Sequence, residues 1–429
     1  MSVEILLIAV VLVSVCFLAP VRYLPAFSLV IFAFVPKLLM PAFLPVFLHP
    51  AFVILSVWII RRSLGRRESP PRRERFRGLS IAIAISLLGL CLVLWRTATP
   101  STLANISLQW IVALAFGVLV PLLVRDVSQE TRVLSRVLPF LAATLAVYAI
   151  VEFALAKNIV YDPIYHALGL PAEQKWSTYR SHVSFGHPLY AGTFFAVTTC
   201  YFFARWMMGG RALLVFALSA AALVVTVSRG ALVATAVGIA LAIAAGFFSR
   251  RVRPMKKWTS LLLVGSVVVA VVAAGVFQDR VGTTEAVQSD GARAVIVRIA
   301  LAAAEARGWL GGGPGVSQGL VAVYNPQGFL MENAALQLLV STGIAGAVLM
   351  GAFLAVRVVA AVRNGALPAA AAIVAFSVCM VGYDGLESLP TLQALVAALV
   401  LLSRGASARP ALAEPRKTAL ERARPKRVM

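Results

Sequence analysis

Glu332 and Asn333 stand nine residues (334–342) ahead of the run Gly343-Ile344-Ala345-Gly346. A long polar segment re-enters an apolar run of about 20 residues there, enough to span a bilayer. A carboxylate and an amide therefore mark the mouth of a membrane helix. Ionisable groups at that depth are costly and count as functional candidates. The same pair also suits a plain helix start, since Glu favours the macrodipole and Asn caps. Upstream, Arg180 and His187 flank a Gly/Pro-containing turn just before another apolar run. His182 and His187 lie five apart, a poor spacing for a helical metal pair, and no third ligand is evident, so no metal site is expected. His187 also reads as a capping or packing residue. Ser228-Arg229-Gly230 lies between two apolar runs. Arg229 there can snorkel to headgroups or face inward and bind an anion. Arg293 and Arg298 lie on a segment in which Val295, Ile296, Ile299 and Ala303 recur at helical spacing, the pattern of an amphipathic interfacial helix. Trp309-Leu310-Gly311-Gly312-Gly313-Pro314-Gly315 follows, where the backbone can turn tightly or approach a ligand. It is a weak phosphate-loop signal, because no Walker lysine accompanies it. Together Arg180, His187, Arg229, Arg293, Arg298 and Glu332 offer guanidinium groups suited to bidentate phosphate binding beside one acid that can serve as a base. The chemistry indicated is that of a phosphorylated, membrane-borne substrate.

The elements that position these residues follow from composition. With 60% hydrophobic and 13% charged residues, and a mean hydropathy of +0.89, an ordinary soluble domain is excluded. The chain reads as an all-α polytopic membrane protein. The net charge of +22 is concentrated in short segments beside apolar runs: eight Arg in 61–78, five cations in 249–257 and eight more from Arg404 onward. Such loops lie on the cytoplasmic side and attract anionic headgroups, so the charge reports topology and membrane lipids rather than nucleic acid. The four cysteines are scattered through apolar runs without a CxxC, as small buried hydrophobes. No cleavable leader is expected, because Glu4 precedes the first apolar run and no basic stretch opens it.

Reading outward from the basic loops predicts spans at 79–95, 106–124, 137–155, 188–204, 212–227, 231–248, 258–276, 334–356, 366–383 and 387–402. Two more fall at 3–19 and 43–60, giving about 12. Residues 23–42, broken by Pro25, Pro36 and Pro41, are expected to be re-entrant or interfacial. Two external loops, 156–187 and 277–332, carry the polar chemistry, the second with the amphipathic helix. The chain is thus expected to be one integral membrane domain, 1–403, followed by a disordered basic cytoplasmic tail, 404–429.

With these residues in hand, the chain resembles the O-antigen ligase and O-antigen polymerase superfamily of bacterial envelope proteins, over roughly residues 140–402. The stretch Arg180 to Ala191 looks like the family's arginine followed by a Phe-x-His/Asn-Pro turn. Ser228-Arg229-Gly230 is similar to its Ser-Arg-Gly hairpin tip. Arg293 through Gly315 looks like its arginine, amphipathic helix and Gly-x-Gly-Pro-Gly. Glu332-Asn333, nine residues ahead of Gly-x-x-Gly, matches the spacing of its His-Asn/Ser/Gln signature. The family's ligases carry histidine where this chain has Glu332, so either glutamate takes over that role or substrate or activity differs here. The resemblance implies a metal-independent, inverting glycosyltransferase without a cofactor, in the cytoplasmic (inner) membrane with its active face outside. The donor would be a glycan on undecaprenyl diphosphate, and the acceptor a sugar hydroxyl on a glycan or another lipid-linked chain. Catalytic roles would fall to Glu332 as base and to Arg229 and Arg293 on the leaving diphosphate. Arg180, His187, Arg298 and Asn333 would bind or orient substrate. The competing class is a non-enzymatic transporter or flippase of lipid-linked glycans. It should carry ionisable groups along several spans, whereas these spans are nearly free of charge.

Overall fold

In the computed structural model of the chain, residues 14–40, 45–65, 74, 76–170, 178–249, 252–273 and 284–405 are described, with the backbone alone for 264, 266–273 and 284–290. Most of the expected first span, the central part of the first basic loop, residues 277–283 and the tail from 406 lie outside them. Among the described residues all regular structure is helical. Five helices are long and apolar enough to cross a membrane: Arg77–Thr97, Ser101–Leu123, Ser128–Leu155, Arg229–Phe248 and Ala334–Asn364. Shorter apolar helices cover Val21–Phe34, Leu213–Val225, Leu367–Cys379 and Pro390–Arg404. Helices Pro50–Leu64, Pro188–Met207 and Pro254–Ala273 fall within other stretches read as spans. The chain is a multi-pass helical membrane protein.

Small residues set the tightest packing, which joins Pro188–Met207, Arg229–Phe248 and Leu367–Cys379. A Cβ on Gly238 would stand 2.6 Å from Cys200 Sγ and 2.9 Å from the Ala371 carbonyl. Close backbone approach of this kind suits membrane helices, between which the hydrophobic effect supplies little attraction. Pro188–Met207 is buried on nearly every side, as a central helix must be.

Polar contacts sort the loops into two sets, one at each end of the bundle. At one end Arg62 pairs with Glu130 at 2.6 Å and Arg357 with Glu74 at 2.8 Å. Arg77 donates to the Leu122 carbonyl and Arg205 to that of Ser135. These are the segments read from sequence as the basic side. At the other end Lys37 Nζ donates to the Ser388 carbonyl at 3.0 Å, Trp110 Nε1 to that of Leu386 at 2.7 Å, and Ser317 N to Glu387 at 2.9 Å. This end carries the glycine-rich segment 309–315 and is called the glycine face below. The partition matches the sidedness read from the charges.

The N-terminal region differs from expectation. Residues 24–34 are not a re-entrant piece but a helix that runs antiparallel to Pro50–Leu64. Arg61 holds the Cys16 and Ala19 carbonyls at one end of the pair, and His49 Nε2 lies 3.1 Å from the Val35 carbonyl at the other. Pro25 falls in the first turn, where a missing N–H costs little. Pro36 falls beyond the helix end. The prolines that suggested a break mark the boundaries instead.

Candidate functional site

The helix Ala334–Asn364 is two pieces joined at Gly343, whose φ of 70° and ψ of −175° are not helical. That region is essentially restricted to glycine. Residues 344–364 are about 31 Å long at 1.5 Å per residue, matching a hydrocarbon core of about 30 Å. Residues 334–342 form a separate half-helix on the glycine face. The kink frees backbone groups, and the glycine-rich segment takes them up. Gly312 N donates to the Val340 carbonyl at 3.1 Å, Gly313 N to that of Ser341 at 3.0 Å, and Ile344 N to that of Trp309 at 3.1 Å. A Cβ on Gly343 would stand 2.4 Å from the Trp309 oxygen. The two glycine motifs are therefore one device. It fixes the start of the half-helix, and with it Glu332 and Asn333.

Helix Thr284–Glu305 supplies the arginine. Ile296, Ala300 and Ala303 form its buried stripe and pack with Val316, Leu320, Met331 and Val340 in a small core under the glycine face. The stripe expected to lie on the membrane is thus covered by protein. Arg293 sits three residues before Ile296 on the same face and reaches Glu332, with Nη2 3.1 Å from Oε2. The pair stays open: the Arg293 side chain is 43% exposed and that of Glu332 31%. Arg298 lies five residues on, about 140° around the helix. It is exposed, so the structure does not bring it to the pair.

The Arg180–His187 turn is pinned from below. Glu152, fully buried, accepts from the N–H of His182 at 3.0 Å and of Val183 at 2.8 Å. Arg180 Nε donates to the Thr226 carbonyl at 3.1 Å, and Ser181 N to that of Val225 at 3.1 Å. The turn is thereby tied to the tip that carries Arg229. Arg229 opens its helix half-buried, and Ser228 caps that helix through Ala231 N. Val183 and Val227 both hold positive φ, 53° and 51°. A β-branched residue there is strained, by about 1–3 kcal/mol each. His187 caps its own helix, with Nδ1 accepting from Leu189 N at 3.2 Å. Burial, then the charges of Arg180 and His182, push its pKa down to about 4. The ring is therefore neutral at pH 7 and adds no cation. Asn333 likewise spends its oxygen on capping, accepting from Leu336 N at 3.0 Å.

The sequence reading missed the loop 380–389. Ala334 N donates to the carbonyls of Met380 and Tyr383, both at 2.9 Å, which fastens the loop to the half-helix. A Cβ on Gly230 would stand 3.8 Å from Gly382 Cα, so the loop also meets the arginine tip. Burial pushes Asp384 up, opposed by its bond from Ser388, and the charge of Glu332 raises it further. Tyr190 bridges the turn and the loop, its ring 5.5 Å from His187 and 4.8 Å from Tyr383. Glu387 accepts from Ser317 N at 2.9 Å and from Ser317 Oγ at 2.6 Å, while burial pushes its carboxyl up to about 7. The available signal was the acidic pair Asp384 and Glu387 in a chain with 17 carboxylate residues against 39 cations.

The turn, the arginine tip, the acid–arginine pair and the loop thus form one contiguous polar surface on one face of a helical bundle. The molecule is a multi-pass membrane protein with an open carboxylate–guanidinium pair at one membrane face. Residues 214–351 match the family described as O-Antigen ligase, which supports the O-antigen ligase and polymerase superfamily. The match includes Arg229, Arg293, Glu332, Asn333 and both glycine motifs. The Arg180–His187 turn and the loop 380–389 lie outside it. A comparison with curated proteins finds no match.

Proposed function

We propose that the chain is a polysaccharide ligase or polymerase that moves a glycan from undecaprenyl diphosphate onto a sugar hydroxyl at the outer face of the cytoplasmic membrane. The observation that carries this reading is the half-exposed Arg293–Glu332 pair, at 3.1 Å, within the segment that matches the ligase family. The acceptor hydroxyl oxygen attacks the anomeric carbon. The bond to the diphosphate oxygen breaks, its electrons leave with undecaprenyl diphosphate, and the hydroxyl proton passes to Glu332. A single displacement of this kind inverts the anomeric centre. Arg293 and Arg229 take the charge that develops on the diphosphate, an effect of about 2.7–4 kcal/mol per well-placed donor. Proton removal by Glu332 contributes about 10² to 10⁴ in rate. Arg180, tied to the tip, orients the donor. Before substrate arrives Arg293 holds Glu332, so the diphosphate competes for Arg293 and leaves Glu332 free to accept the proton.

The test begins with the lipid that copurifies. Mass spectrometry of the protein extracted in native membrane discs is expected to find a polyprenyl diphosphate bearing sugars. Arg293→Ala should lose both this lipid and glycan transfer, and Arg293→Lys should be poor, because a point charge lacks the bidentate geometry. Full transfer by Arg229→Ala and Arg293→Ala would remove the proposed clamp.

A further inference from the structure

A cavity of about 280 Å³ opens on the glycine face, with Glu387 of the loop 380–389 in its wall. It approaches the lower end of small-molecule sites, about 300–1,000 Å³. Lys37, His49, Ile106, Gln109, Trp110 and Glu387 are among its lining. Several of these groups have spare hydrogen-bonding capacity. Glu387 uses Oε2 for Ser317, while Oε1 is buried without a hydrogen bond of normal geometry among the described residues, and the Ser341 hydroxyl lies near the carboxyl. Gln109 spends its oxygen on Val46 N at 2.9 Å, and its amide N–H groups are donors. Lys37 gives one bond to the Ser388 carbonyl and has three N–H donors in all. His49 is committed at both nitrogens, to the Val35 carbonyl and Ala51 N, and serves as wall. The glycine-rich segment makes another wall. A Cβ on Gly315 would stand 2.4 Å from Trp110 Cγ, so only glycine lets the backbone lie against that ring.

The lining selects among ligands. A diphosphate would meet the Glu387 carboxyl and a single cation, Lys37, with no arginine among the described lining residues to grip it bidentately. A lipid tail would bury a lysine and a carboxylate against hydrocarbon at large cost. A neutral, polyhydroxylated ring pairs with carboxyl, amide and ammonium together and sets its apolar edge against Ile106 and the rim of Trp110. We infer that this cavity is a saccharide subsite, which holds one sugar ring of a glycan substrate. The inference rests on the glycan-transfer reading and names where that site takes a sugar. The ring can belong to the acceptor or to the donor glycan.

The test is direct binding and does not depend on transfer. Full-length protein in detergent is titrated with free glucose, galactose, mannose, N-acetylglucosamine and rhamnose into the tens of millimolar, and tryptophan fluorescence is read. A saturable change with at least one sugar is expected. Trp110→Phe should abolish it. Glu387→Gln, which keeps an oxygen for Ser317, and Ile106→Phe, at an exposed lining position, should each weaken it about tenfold, the worth of one lost hydrogen bond or a narrowed mouth. Should Trp110→Phe not fold, the other two variants decide. No saturable change with any sugar, or a change unaltered in these variants, would overturn the subsite. Steady-state transfer then separates the sources: Glu387→Gln raises the acceptor KM if the ring belongs to the acceptor, and lowers the retained lipid-linked donor if it belongs to the donor. Sugar binding by a wild type that transfers no glycan would leave the subsite standing and defeat the transferase reading.

Discussion

Arg357 and Arg293 each hold a carboxylate, at 2.8 and 3.1 Å, on opposite faces of the molecule. Arg357 is fully buried and satisfied. Nη1 takes Glu74, Nε and Nη2 take Ser403, and Arg404 clamps the other Glu74 oxygen at 2.7 Å. On the same face Glu130 is held by Arg62 and has no exposed side-chain surface. On the glycine face the Arg293–Glu332 pair is partly exposed on both sides, 43% and 31%. Identical residue types therefore do different work. A buried charge network surrounded by its own partners can only hold helices together. A half-exposed pair contributes at most about 1 kcal/mol to stability and keeps its charges available. Function on the glycine face follows from the exposure of its acid–arginine pair.

The sharpest way to break this comparison is to neutralise one carboxylate on each face. Glu74→Gln leaves Arg357 and Arg404 facing each other without a counter-charge. Breaking a buried ion network costs about 3–5 kcal/mol, so the expected result is a large fall in yield and in thermal stability in detergent. Glu332→Gln should leave stability within about 0.5 kcal/mol yet lower glycan transfer at least about 100-fold, the lower end for a general base, or about 2.7 kcal/mol in barrier. The two variants should thus separate cleanly, one in melting temperature and one in rate. If Glu332→Gln melts early and transfers normally, Glu332 belongs with Glu74 as a structural charge. Glu332→His sharpens the point: measurable transfer would show that glutamate here and histidine in the family's ligases do the same job.

The kink offers the next effect. Gly343→Ala forces a Cβ against the Trp309 oxygen and into a glycine-only backbone region, costing about 1–3 kcal/mol from the backbone alone. Because Gly343 sets the half-helix that begins after Asn333, transfer should fall as well, with unfolding measured in parallel. Gly351→Ala is the control. A Cβ there meets nothing within 4 Å, and neither property should change.

Much of this was legible in the residues. Charge distribution indicated which loops share an end of the bundle, since Lys and Arg excess is itself a topology signal. The recurrence of Val295, Ile296, Ile299 and Ala303 marked an amphipathic helix, of which Ile296 and Ala303 lie on the buried stripe; that Arg293 shares that face was not read from it. The spacing between Glu332 and Gly343 marked a real boundary, but read as one continuous span it concealed that Gly343 breaks the helix and that Gly311 to Gly313 fill the break. Such pairing between segments thirty residues apart has no local signature. Asp384 and Glu387 were missed for a related reason. Their loop lies between two apolar runs that read as almost continuous, and only the fold brings it against Glu332 and Ser317. The prolines near residues 25 and 36 misled because proline at a helix start and proline within a helix look alike in sequence.

The smallest expected effect is a pH dependence that sets the two faces apart. Burial and the nearby Arg180 charge hold the His187 pKa near 4, below its ordinary 6.5. A depressed folded value means that the fold prefers the neutral ring. The contribution is fully present above pH 6.5 and is lost as the pH falls from 6.5 towards 4. Glu74 on the basic face behaves differently. Burial works to raise its pKa, but Arg357 and Arg404 outweigh it and hold the carboxyl below its ordinary 4.5. Its contribution persists until the pH drops beneath the usual carboxylate range. His187 should therefore contribute a first decline in thermal stability in detergent, and Glu74 a second at stronger acid. Glu387, whose carboxyl is pushed up to about 7, works against the first. His187→Asn keeps a side-chain oxygen to cap the helix and removes the titrating ring, so it should remove the first contribution and leave the second untouched. An unchanged slope between pH 6.5 and 4 in that variant would show that the ring is not held neutral by its surroundings. His187 would then be free to act as a cation at the site.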